Sequence, residues 1–165
     1  MPYKAKTRRG SMAFYILALV VLLVDQGSKW WVRTHMFVGE QRNVFIPYLH
    51  FEYYQNSGAA FSSFQGYGKW FAYLAIVVVG ALIYYRIKGA IRGMVLELAA
   101  GFLAGGALGN ALDRLMYGKV TDFLVWGSRS GIMNIADLAI NAGVVLLIFG
   151  MLLRGWQEKR SYSFK

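Results

Sequence analysis

Residues 119–140 read KVTDFLVWGSRSGIMNIADLAI. The first part alternates enough to suggest a strand, a polar turn bounded by glycines follows, and a long apolar segment begins near Asn134. Asp122 lies inside the strand-like part and Asp137 one turn into the apolar segment, and neither has a basic neighbour in sequence. Carboxylates set among membrane-grade hydrophobic residues are costly unless they are paired, protonated or used. The fold therefore turns on whether the flanking apolar segments cross a bilayer.

Outward from that stretch, the composition says that they do. Of 165 residues, 57% are hydrophobic, 16% aromatic and only 16% charged, which is too apolar for a soluble domain of this size. Segments at about 12–32, 70–85, 94–112 and 135–153 each approach the roughly 20 apolar residues a membrane helix needs. The second is short and takes Gly68, Lys69 and Arg86 as interfacial flanks. No small-residue cleavage site follows the first, which reads as a retained helix and not a leader. We expect one integral membrane domain over residues 1–165, an α-helical protein with four transmembrane helices and a small β-type segment on the outer membrane surface.

Charge sets the expected orientation. Of the 18 Lys and Arg residues, eleven (Lys4, Lys6, Arg8, Arg9, Arg86, Lys88, Arg92, Arg154, Lys159, Arg160 and Lys165) fall on one side and seven on the other. This predicts N and C termini in the cytoplasm. The net charge of +10 then reports topology and attraction to anionic phospholipid, and nucleic acid is excluded as a partner because no soluble basic patch forms. With no cysteine and two histidines, His35 and His50, neither a thiol nucleophile nor a metal centre is expected. The serines of GSRSG lack a histidine partner.

The first helix ends in DQGSK, where Lys29 stands four residues after Asp25 and is expected to form a structural ion pair with it. Trp30 and Trp31 fit an interfacial belt. The connection over 33–68 is too long for a turn; VFIPYLHFEYYQ, interrupted by Pro47, reads as short edge-type strands. In QNSGAAFSSF, Asn56 and Gly58 suit a turn into the second helix or a small-residue surface for an extended peptide. In the third helix Gly101, Gly105 and Gly109 recur at the spacing that permits close helix approach. Asn110, Asp113 and Arg114 follow within one turn, with a structural Asp113–Arg114 pair expected. Asn134, Asp137 and Asn141 are expected on one face of the fourth helix. By depth, Asp25, Asp113, Asp122 and Asp137 all gather near the outer interface.

Paired carboxylates share a proton, and such a dyad can activate a water and protonate a leaving amine. Intramembrane acids also carry protons or cations, or serve structure. Residue chemistry alone leaves these open.

Five motifs taken in order resemble the lipoprotein signal peptidase (signal peptidase II) family of bacterial intramembrane aspartic proteases: DQGSK (25–29), NSGAAFS (56–62), GGALGNALDR (105–114), VTDF (120–123) and NIAD (134–137). Met133 stands where the family often has Phe, an apolar exchange. The resemblance implies that Asp122 and Asp137 are the catalytic dyad, and that Asn56, Gly58, Asn110, Arg114, Asn134 and Ala136 support substrate and dyad. It implies structural roles for Asp25, Lys29 and Asp113. The implied reaction removes signal peptides from diacylglyceryl-modified prolipoproteins, N-terminal to the lipidated cysteine, without cofactor or metal. A monomer in the bacterial cytoplasmic (inner) membrane, with its active site towards the outer face, is expected.

Overall fold

The computed structural model describes residues 12–44, 46, 48–58, 66–127 and 131–162. The N-terminal tail, Pro47, residues 59–62 of the second motif, residues 128–130 of the polar turn and residues 163–165 lie outside them. Helix α1 spans Ala13–His35, followed by strands β1 (Gln41–Asn43) and β2 (Leu49–Asn56), then α2 (Gly68–Ile87) and α3 (Met94–Tyr117). Strand β3 (Val120–Trp126) leads into α4 (Ile135–Tyr162). All four helices are long and apolar enough to cross a membrane. All four helices end beyond the apolar segments that predicted them, because interfacial polar and aromatic residues extend a helix without breaking its hydrogen bonding.

Helix α3 is the hub. In its apolar span 61% is buried, against 22% for α1 and α4 and 11% for α2. Glycine makes this possible, since a side chain at these positions would hold the neighbouring helices apart. A Cβ on Gly105 would stand 2.7 Å from the Ala18 carbonyl oxygen of α1, and one on Gly106 would stand 2.5 Å from the Ala136 carbonyl oxygen of α4. Gly143 returns the favour from α4, where a Cβ would sit 3.0 Å from the Ala99 carbonyl oxygen. The outward faces of α1, α2 and α4 carry Leu19, Leu23, Val77, Val145 and Leu152 exposed, the surface that lipid would cover.

Gly118 ends α3 at φ +72, its N–H donating to the Arg114 carbonyl. This left-handed cap turns the chain sharply into β3. The sheet is antiparallel with order β1-β2-β3, so β2 is its centre and not an edge as its interruption by Pro47 suggested. Nor does β3 alternate between buried and exposed. Val120 to Val125 are all buried, because α1 and α3 pack against the strand while β2 pairs along one edge and Met133 along the other.

The register carries an irregularity between Phe51 and Tyr54, across which Phe51 opposes Leu124 but Tyr54 opposes Asp122. One extra residue in β2 reverses its alternation from that point on. Asn56, an odd number of residues past Phe51, is thereby brought to the face of Asp122. At the other end of the molecule, Arg86 of α2 donates to Glu97 of α3 (2.8 Å) and to the Tyr15 hydroxyl of α1 (3.2 Å). Glu97 is thus buried and paired in the first turn of α3.

Candidate active site

Asp137 enters the site as part of a helix cap. The Asn134 side-chain oxygen accepts from the Asp137 N–H (2.9 Å), and the Asp137 carboxylate accepts from the Asn134 N–H (3.1 Å). This reciprocal pair is a capping box, which fixes both side chains against the start of α4. Asn134 is therefore the residue before the helix and not on its face, and Asn141, one turn further, is exposed.

The same segment is clamped to β3. The carbonyl of Met133 accepts from the N–H groups of Phe123 (2.8 Å) and Leu124 (2.7 Å), while its own N–H donates to the Leu124 carbonyl (2.9 Å). Strand and helix start are thus one unit, and Asp122 cannot drift from Asp137 without breaking backbone hydrogen bonds.

Three asparagines hold the two acids, and elimination gives the orientation of each amide. The Asn134 oxygen is taken by the Asp137 N–H, so its NH2 faces Asp122 at 2.6 Å. The Asn56 oxygen accepts from the Gly58 N–H (3.0 Å), leaving its NH2 to Asp122 at 3.1 Å. The Asn110 oxygen accepts from Lys29 (2.8 Å), a group that can only donate, and its NH2 reaches Asp137 at 2.8 Å. Each carboxylate receives two N–H donors, and among the described residues neither forms an ion pair. Asp122 is buried. Burial pushes its carboxyl up to about 7; the Asp137 charge adds to the rise, and the Asn134 and Asn56 donors oppose it.

Beneath the acids lies a second polar cluster. Lys29 pairs with Asp25 at 2.9 Å and approaches Asp113 at 3.6 Å, all three side chains fully buried. Asp25 also accepts from the Ala136 N–H (2.9 Å), joining α1 to the first turn of α4. Asp113 accepts from the Thr121 N–H (2.9 Å), which stations β3 one residue before Asp122. The expected Asp113–Arg114 pair does not form. Asp113 instead meets Arg33 of α1 (3.3 Å), because adjacent residues on a helix point about 100° apart. Arg114 donates to the Gly58 carbonyl (3.0 Å), and its Nε is buried with no partner among the described residues.

Sequence reading missed Gln26, Arg33 and Thr121. The Gln26 amide donates to Asp25 (3.1 Å), the Gly109 carbonyl (3.0 Å) and Asp113 (3.3 Å). Arg33 continues the Asp25–Lys29 spacing of four, a signal that was available. Thr121 joins through its backbone and leaves no such signal. Gly109 faces the Asp25 carboxylate so closely that a Cβ there would overlap it. Because Lys29, Gln26 and Ala136 fix that carboxylate, Gly109→Ala is expected to destabilise the protein by about 1–3 kcal/mol. A lower midpoint of thermal unfolding in detergent checks this; an unchanged midpoint would show that the cluster yields.

Fold and site together define a four-helix membrane protein of the aspartic peptidase class, with two amide-held acids where a strand meets a helix. The sequence profile of the signal peptidase (SPase) II family matches residues 17–153. A lipoprotein signal peptidase of Shouchella clausii is 38% identical over 148 residues, covering 89% of this chain and 97% of the relative. One of Bacillus pumilus is 35% identical over 153 residues, covering 91% and 99%. Two solved structures described as a bacterial membrane enzyme superpose with TM-scores of 0.79 and 0.76, both at 34% identity. Each covers 84% of this chain, with 87% and 92% of the other chain matched. The chain belongs to the signal peptidase II family.

Proposed function

We propose that the chain is an aspartic endopeptidase that removes the signal peptide from diacylglyceryl-modified prolipoproteins, cutting N-terminal to the lipidated cysteine. The observation that carries this reading is the pair Asp122 and Asp137, joined through one amide, Asn134. Asp137 takes the part of base, held by two N–H donors in the first turn of α4. Asp122, buried and pushed up to about 7, holds the proton. A water between them loses its proton to Asp137 as it attacks the scissile carbonyl, and Asp122 protonates the departing amine. The Nε of Arg114, without a partner among the described residues, is a donor for a substrate carbonyl, and Asn56 and Gly58 line the approach.

The orientation follows from charge. Arg86, Lys88, Arg92 and Arg154 lie at the end away from the acids. At the acid end Lys29, Arg33 and Arg42 are engaged with Asp25, Asp113 and Glu40. The site then faces the outer side of a bacterial inner membrane, both termini are cytoplasmic, and a monomer in contact with phospholipid suffices.

The test is processing of a lipidated precursor by the purified chain in liposomes, read as a gel shift across pH. The rate is expected to fall above pH about 7, approaching tenfold per unit, as the proton on Asp122 is lost. Asn56→Ala removes a donor that favours the ionised form, so the alkaline midpoint should move to higher pH. Absence of processing at every pH refutes the function. An alkaline limb that stays in place in Asn56→Ala refutes the assignment of the proton.

A further inference from the structure

On the face of β3 turned away from Asp122 lies a cleft of about 120 Å³, lined by Arg33, Tyr53, Gln55, Tyr117, Lys119 and Thr121. The catalytic reading leaves it unused. Its charge is uneven. The buried acids and bases behind it balance, Asp25 and Asp113 against Lys29 and Arg33. Among the described residues Lys119 meets the neutral Gln55 alone, at 3.3 Å, and no acid there offsets its charge.

Arg33 is held for binding without being consumed. Its guanidinium lies 4.6 Å from the centre of the Tyr117 ring. Its Nη1 serves Asp113 at 3.3 Å and Thr121 at 3.2 Å. Its Nε and Nη2 have no protein partner among the described residues. A planar guanidinium fixed on one edge, with two parallel donors open on the other, suits a tetrahedral oxyanion. The cleft also lies where α1 and α3 end, and Trp30, Trp31, Leu112, Leu115 and Met116 on those two helices are exposed. A headgroup phosphate would reach Arg33 and Lys119 while its acyl chains lay against that apolar surface.

We propose that this cleft binds the phosphodiester headgroup of an anionic phospholipid. Through Arg33 the bound lipid braces Thr121, the residue before Asp122. The site is independent of the peptidase reading.

The full chain in detergent is titrated with dihexanoyl phosphatidylglycerol below its critical micelle concentration, and the unfolding midpoint is followed. Parallel arms use dihexanoyl phosphatidylcholine and inorganic phosphate. A saturable rise with phosphatidylglycerol alone is expected. Lys119→Glu should need about tenfold more lipid for the same rise, as loss of a charged hydrogen bond implies, while Lys119→Arg should match the parent chain. Lys119 is exposed, so neither change threatens the fold. Equal half-saturation in Lys119→Glu, or an equal response to phosphatidylcholine, overturns the site. An equal response to inorganic phosphate overturns the lipid assignment and leaves a free-anion site.

Discussion

Asp122→Asn and Asp137→Asn are each expected to lower cleavage of a lipidated precursor by on the order of 10⁴-fold, because each removes one of the two proton carriers. Neither change alters side-chain volume. Asparagine at 122 would turn an NH2 toward either Asn134 or Asn56, both of which already present NH2 there. At 137 it could still accept from the Asn134 N–H but would face the Asn110 NH2 with its own. That mismatch costs about 1–3 kcal/mol. Both variants should therefore insert and unfold cooperatively while failing to process substrate. Processing at the parent rate by either variant would remove that acid from the reaction.

The second large effect concerns stability. Lys29→Met leaves Asp25 fully buried without its cation and Asn110 without the donor that orients it. Removing one partner of a buried ion pair costs about 3–5 kcal/mol, enough to abolish folding of a marginal protein. The compensating change is Asp25→Asn in the same chain. It removes the stranded charge and retains an oxygen for the Ala136 N–H, so the double variant should recover most of the lost stability. A double-mutant cycle read by thermal unfolding decides this. Additive losses would show that the pair does not act as a unit. Activity is expected to recover less than stability, since Asn110 still lacks Lys29 to hold its NH2 toward Asp137.

The two effects are linked through α3. Gly109 admits the Asp25 carboxylate, and the next residue, Asn110, joins Lys29 to Asp137. An acid cluster below thus orients the acid pair above. The close helix packing that glycine allows is what brings α1 within reach of α4 at all.

Membrane character, the number of spans, their order and the gathering of four aspartates at one end were legible in the chain. Each depends on local composition and on length, which a bilayer converts directly into position. Motif order was equally legible and carried the family. The Asp25–Lys29 pair was too, since four residues on a helix is a distance. The partners of Asp113, Arg114 and Asn56 were not. Asp113 turned to Arg33 on another helix, Arg114 to a loop carbonyl, and Asn56 reached Asp122 only because a bulge in β2 reversed its alternation. Contacts of this kind link residues 56 to 80 positions apart, and no periodicity reaches so far. The sequence by itself determined which acids gather at one end of the helices. Tertiary structure alone decided that Asp122 and Asp137 share one asparagine, because strand and helix must first be pinned together at Met133.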